Sequence, residues 1–184
     1  MRRRKSCLLH ICCAPDATVP WEELAREYEV SGYFYGSNIY PEKEYLRRRK
    51  AVEVLKKHRE GKVFFEKWNP QEWIEKTRKY ATEPERGRRC SLCFYLQLSR
   101  AAWMARKVGC SCLCTTLTIS PHKNVLRIQA IGNHVATRYG LEWLSRVWRK
   151  EGGFQRSVAE SRDLGLYRQN YCGCLYSMQN ENCL

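Results

Sequence analysis

Short β-prone runs alternate along this chain with longer segments of helical period, and that alternation limits the folds open to it. Ser6 to Ile11 has the character of a short buried strand, and Thr18-Val19-Pro20-Trp21-Glu22 carries helix-start residues for a helix to about Tyr28. Tyr33 to Asn38 reads as a second strand. Pro41 then opens a helix to about His58, with Ala51, Val52, Leu55 and His58 on one face. Val63 to Trp68 is a third strand, and Asn69-Pro70 starts a helix to about Tyr80. After the polar stretch Ala81 to Arg89 comes the clearest amphipathic helix, with Phe94, Leu98, Ala101, Ala105 and Val108 at helical spacing. Cys112 to Leu117 makes a fourth strand. Ser120-Pro121 has the chemistry of a cap and first helical position, for a helix burying Val125, Ile128, Ile131 and Val135. Leu141 to Trp148 is a fifth strand, and a last helix from about Phe154 to Leu164 precedes a cysteine-rich tail.

Strands separated by helices imply a parallel sheet with right-handed crossovers. The 184 residues suffice for one well-packed domain. The expectation is a single α/β domain over 1–184, a mainly parallel sheet flanked by helices in the Rossmann-like manner. A basic arm occupies about 1–5 and a Cys-rich C-terminal segment about 165–184. In such sheets ligands bind beyond the carboxyl ends of the strands. Cys12-Cys13, Asn38 and Thr115-Thr116 all fall at such ends.

Charge narrows the partners. Lys and Arg total 33 against 19 acids, a formal +14. The excess is clustered in Arg2-Arg3-Arg4-Lys5, Arg47-Arg48-Arg49-Lys50, Arg86 with Arg88-Arg89, and Arg146 with Arg149-Lys150. An unbalanced, Arg-rich excess favours a polyanion, through release of condensed counterions. No apolar run approaches the ~20 residues of a membrane span, so no membrane partner is expected. The short apolar stretch behind MRRRKS lacks a small-residue cleavage site, which reads as a cytoplasmic chain.

Eleven cysteines are present, an odd number that suits metal or redox chemistry better than a secreted disulfide framework. Cys90-Ser91-Leu92-Cys93 has the spacing that lets two thiolates at a helix start grip one metal centre. With Cys12-Cys13 it offers four thiolates, enough for zinc or for a cubane iron–sulfur cluster. Cys110, Cys112 and Cys114 lie in and beside a strand and read as core, and Cys7 and Cys183 are given no role. Cys172-Gly173-Cys174 can close a tight, easily cycled disulfide or can ligate metal.

Five segments, LLHICCAPDAT, YGSNIYPEKEYLRR, RCSLCFYLQLSRAA, TTLTISPHKN and RDLGLYRQNYCGCLYS, follow one another over nearly the whole length. In this order they resemble the QueH-type epoxyqueuosine reductases. The resemblance implies reduction of epoxyqueuosine to queuosine at the wobble position of tRNA. It also implies kinship with the HUP and PP-loop nucleotide-binding folds. A [4Fe–4S] cluster on Cys12, Cys13, Cys90 and Cys93 is implied, together with a redox-active pair, Cys172 and Cys174. Where PP-loop enzymes carry a Gly/Ser-rich phosphate loop this chain has CCAPDAT, so no ATP is expected. Many members have a third cysteine where this chain has Asp16. Its carboxylate can ligate an additional mononuclear metal ion, iron or zinc, can supply a proton, or can be a plain helix-start acid.

Turning an epoxide into an alkene takes two electrons and two protons. A cluster passes electrons singly, a dithiol can hold a pair of them, and an external electron donor is required. His10, His122 and Tyr171 are candidate proton donors, with His10 equally suited to the core. Two rivals stand beside this reading: a cluster-dependent tRNA sulfurtransferase of related fold, and a non-enzymatic zinc-stabilised RNA-binding module.

Overall fold

The computed structural model describes residues 4–181. Arg2 and Arg3 of the basic arm and Cys183 lie outside them. The first strand, β1 (Ser6–Ile11), is central in the sheet and is buried because helices cover both of its faces. It is followed by α1 (Ala14–Ala25), β2 (Glu29–Phe34), α2 (Glu42–Lys57) and β3 (Val63–Phe65). Next come α3 (Pro70–Thr77), α4 (Arg88–Lys107), β4 (Cys112–Thr115), α5 (Val125–Arg138) and β5 (Glu142–Trp143). The chain closes with α6 (Gly153–Asp163) and α7 (Leu175–Glu181).

All strand pairings are parallel and the order is β3-β2-β1-β4-β5. The chain runs outward from β1 to β3, then returns to the other side of β1. The carboxyl ends of β1 and β4 are therefore the topological switch point, where crossovers depart to opposite faces and leave a crevice.

Side-chain alternation sorts the core into two layers. Cys7, Leu9 and Ile11 of β1 join Cys112 and Cys114 of β4 under Trp21 and Leu24 of α1 and Val52 and Leu55 of α2. Leu8 and Leu113 point the other way, against Leu98, Ala101 and Ala105 of α4 and Val135 of α5. Burial of such side chains is worth roughly 1.5–3 kcal/mol each, and it fixes the register Cys7↔Cys112 and Leu9↔Cys114.

Boundaries differ from the sequence expectation where local chemistry overrides pattern. Helix α1 begins at Ala14, four residues before Thr18, because Pro15 occupies its first turn, where a missing N–H costs nothing. Strand β2 runs earlier than Tyr33–Asn38. Its Gly32 lets Trp21 and Ile11 close in where a Cβ would clash, and Gly36, at φ +72°, turns the chain out of the sheet. Ser120-Pro121 forms a turn, and Asn124 caps α5 by accepting a bond from the Arg127 N–H at 3.0 Å. His58 of α2 is exposed, whereas Ala51, Val52 and Leu55 are buried.

Candidate functional site

At the switch point lies a cavity of about 580 Å³. Its wall includes the sulfur-bearing residues Cys12, Cys90, Cys93, Cys172 and Cys174. Cys12 and Cys13 follow β1 directly, and Cys13 caps α1 in extended conformation. The Cys12 backbone N–H donates to Thr116 Oγ1 at 3.1 Å, and that hydroxyl donates to Cys12 Sγ at 3.2 Å. Asp16 sits in the first turn of α1, with Oδ2 3.3 Å from Cys12 Sγ. Ligand atoms of Cys12, Cys13 and Asp16 all lie within 4.8 Å of one another.

Helix α4 faces them. Cys90, Cys93, Phe94 and Gln97 share one stripe of it, at the i, i+3, i+4 and i+7 positions. Cys90 stands in the first turn, where the helix dipole favours negative charge. The turn before it holds Arg86 in the left-handed region, φ +71°, and directs the Arg86 N–H at Cys90 Sγ, 3.2 Å away. Phe94, Leu117 and Ile128 form an apolar patch touched by both Cys12 and Cys90.

The tail is not a loose appendage. Gln169 Nε2 donates to Cys13 Sγ at 2.9 Å. Arg48, buried and ion-paired with Glu44 at 2.7 Å, donates to the carbonyls of Cys172 and Tyr171 at 3.0 and 3.1 Å. The Tyr40 N–H donates to Gly173 O at 2.8 Å. Gly173 has φ +104°, and a Cβ there would lie 2.5 Å from Arg48 Nη1. Only glycine fits this turn. Arg48 and Arg89 therefore do not serve as surface charges, contrary to the reading of basic clusters. Arg89 is likewise buried, donating to the carbonyls of Tyr80, Ala81 and Glu83. Arg86, Arg127 and Arg168 are the exposed cations on the cavity wall.

Burial raises the thiol pKa values of Cys13 and Cys90 and pushes Cys93 up to about 12. Thiols held protonated in this way release their protons against a bound cation. Cys172 and Cys174 behave as a pair. The Cys172 thiol donates to Cys174, which is pulled down to about 7, while Cys172 is raised by that bond and by burial. Lys123, which the sequence reading missed, reaches half-buried into this group. Burial works against its charge, but Cys172, Cys12, Asp16 and Cys13 outweigh it and hold the ammonium charged.

Among the described residues every cysteine is free. Of the two alternatives for Cys172 and Cys174, the disulfide is not formed here. His10 is a core residue and does not line the cavity: it is fully buried, bonded through Nδ1 to Thr115 Oγ1 at 2.9 Å, and burial pulls its pKa to about 3. Tyr171 lines the cavity with its hydroxyl bonded to Tyr40 O at 2.9 Å, and exposed His122 lies at the wall. Asn38 also lines the wall. Gln97 and Gln169 were missed because amides carry no spacing signal, whereas Thr116, expected at the strand end, does bond Cys12.

The donor set fits a sulfur-bound iron or zinc centre. Soft thiolates are concentrated around one crevice, with an apolar patch and one ammonium beside them. Fold and site together define a doubly wound α/β protein with a cysteine-walled ligand crevice at its switch point. Residues 7–180 match the family described as epoxyqueuosine reductase QueH. The chain belongs to that family, as the sequence resemblance led one to expect. Curated relatives of that name include the Thermotoga maritima protein, 36% identical over 174 residues, covering 93% of this chain and 89% of the relative. The Haemophilus influenzae protein is 38% identical over 180 residues, 95% of this chain and 72% of that one. Among solved structures, the U34-tRNA thiolase NcsA from Methanococcus maripaludis with its [4Fe-4S] cluster superposes with a TM-score of 0.59 at 12% identity. That match covers 96% of this chain and 62% of the thiolase, and it establishes the shared fold. Among the described residues no helix is long and apolar enough to cross a membrane.

Proposed function

We propose that this chain reduces epoxyqueuosine to queuosine at the wobble position of tRNA, in the cytoplasm, with electrons from an external donor. The observation that carries it is the convergence of five cysteine residues on one crevice at the switch point, in a chain of this family. Cys12, Cys13, Cys90 and Cys93 hold a [4Fe–4S] cluster in this reading. A cluster bound there supplies electrons one at a time.

The protein's own groups do the rest. Epoxide plus two electrons and two protons gives alkene and water. Cys172 and Cys174, oxidised from dithiol to disulfide, release two electrons and two protons, which balances the reaction; the external donor then restores the dithiol. The Lys123 ammonium stabilises negative charge developing on the oxygen as its C–O bonds break. Asp16 carries a proton to that oxygen. Arg86, Arg127 and Arg168 at the wall neutralise tRNA phosphates. The fold supports the reading by bringing these groups, with Cys13 just behind Cys12, to one crevice of about 580 Å³.

A second reading rests on the mutual 4.8 Å grouping of Cys12, Cys13 and Asp16. Those three hold a mononuclear iron or zinc ion, and Cys172 completes a cluster site with Cys90 and Cys93, whose thiols it already influences. Iron analysis of Cys172→Ser separates the two, since only the second predicts loss of the cluster.

The test of the function is anaerobic incubation of the iron-loaded protein with epoxyqueuosine-containing tRNA and a strong reductant, followed by nucleoside analysis. Conversion to queuosine is expected. Unchanged epoxide in the presence of an intact cluster would falsify the proposal.

A further inference from the structure

Cys93 receives a side-chain N–H group from the protein. Gln97, one helical turn further along α4, donates Nε2–H to Cys93 Sγ at 3.0 Å. Trp73 of α3 lies beside the same sulfur, and its buried Nε1 has no hydrogen-bond partner of ordinary geometry. Behind Gln97 stands His10, directly opposite Thr115 in the β1–β4 ladder.

The bonds behind Gln97 fix its orientation. Thr115 Oγ1 accepts from the Leu117 N–H at 3.2 Å, so its hydroxyl proton is free to point at His10 Nδ1, 2.9 Å away. Nδ1 then accepts, and the imidazole proton sits on Nε2. That Nε2 is buried with no partner at ordinary hydrogen-bond distance, and the polar group close enough to act on the imidazole is the Gln97 amide. An Nε2–H facing an amide demands its oxygen. This turns the Gln97 NH₂ outward, to Cys93. The chain Leu117 N–H, Thr115, His10, Gln97, Cys93 is thus directional along its whole length.

An N–H donor draws charge from a thiolate sulfur and stabilises the reduced, more negative state of the metal centre it ligates. We infer that Gln97, oriented by His10 and joined by Trp73, is a positioning residue that raises the reduction potential of the iron centre bound through Cys93. The inference rests on the proposed iron centre, and Cys93 is a ligand in both readings of it. Gln97 and Trp73 need not touch substrate for this role.

The experiment is a redox titration followed by EPR on anaerobically prepared, iron-loaded protein, comparing the unaltered chain with Gln97→Met, Trp73→Phe and His10→Leu. Gln97→Met keeps the bulk of the side chain and removes the donor. Its midpoint is expected at a more negative potential with iron and sulfide content unchanged; Trp73→Phe and His10→Leu shift it the same way by less. Should Gln97→Met fail to hold iron, pulsed EPR of a Gln169→Met variant with isotopically labelled glutamine side-chain nitrogen reads the same bond, since that variant removes the glutamine that donates to Cys13 and keeps Gln97 on Cys93. Coupling of the label to the reduced cluster is expected. An intact cluster whose midpoint ignores the Gln97 substitution, or shows no coupling to the label, overturns the inference and leaves the functional reading standing. An unaltered protein that binds no iron overturns both.

Discussion

Cys7, Cys112 and Cys114 lie inside the strands, whereas Cys12, Cys13, Cys90 and Cys93 lie just beyond the carboxyl edge or face it across the crevice. Within the strands the sulfurs behave as small hydrophobes that donate. Cys114 Sγ points to Leu144 O at 3.4 Å and Cys112 Sγ to Glu142 Oε2 at 3.6 Å, while burial drives Cys7 well up and Cys114 to about 12. At the crevice each of the four sulfurs receives a donor, and Cys12 Sγ also donates to Asp16 Oδ2 at 3.3 Å. Thr116 serves Cys12, Gln169 serves Cys13, the Arg86 N–H serves Cys90 and Gln97 serves Cys93. One residue type thus does two jobs, chosen by its place in the fold, within the sheet or at its carboxyl edge. Burial alone does not separate them, since Cys13 and Cys114 are each 1% exposed.

The strongest way to sharpen this contrast is at Cys172 and Cys174. Replacing either with Ser is expected to abolish turnover in single and multiple cycles while iron content stays near that of the unaltered protein. Gly173→Val should do the same, because a side chain at φ +104° strains the turn and displaces Arg48 from the carbonyls it holds. Nucleoside analysis with parallel iron assay checks all three; turnover retained in Cys174→Ser contradicts the redox role.

Next in size is tRNA binding. Arg86→Glu and Arg168→Glu, at exposed positions on the crevice wall, should weaken binding and flatten its salt dependence by about 0.7–0.9 in log–log slope for each phosphate no longer neutralised. Binding measured across a salt series decides; an unchanged slope moves the RNA elsewhere. Arg48→Glu would instead bury an unpaired charge next to Glu44, and loss of folding is expected there.

The strand cysteines supply the opposite arm. Cys114→Ser places a hydroxyl among apolar neighbours and should cost about 1–3 kcal/mol of stability with turnover preserved, as read by denaturant titration and assay. A loss of iron in that variant would erase the distinction between the two sets.

Much of this was legible in the sequence. The alternation of strand and helix implied the parallel sheet, and Cys12-Cys13 at the end of an apolar run marked the active edge, because strand ends are set by local pattern. What escaped was long-range. Lys123, Gln97 and Gln169 reach the sulfurs only through the crossing of α4, the turn before α5 and the returning tail. Arg48 read as surface charge because nothing in RRRK shows that its second member turns inward.

A further effect, on stability alone, concerns His10. Its folded pKa near 3 lies below the ordinary 6.5, so the unfolded chain takes up a proton first as pH falls. Stability should therefore drop by about 1.4 kcal/mol per pH unit from about 6.5 downward, through this group alone. His10→Gln should remove that slope in denaturation of the metal-free protein; an identical slope would assign it to other groups.

The most direct measurement of the central claim is iron and acid-labile sulfide in anaerobically prepared single variants of both cysteine sets. About four of each per chain is expected in the unaltered protein and in Cys7→Ser, Cys112→Ser and Cys114→Ser, with loss in Cys12→Ser, Cys13→Ser, Cys90→Ser and Cys93→Ser. A colourless protein holding one zinc, or a cluster indifferent to Cys90 and Cys93, contradicts the account.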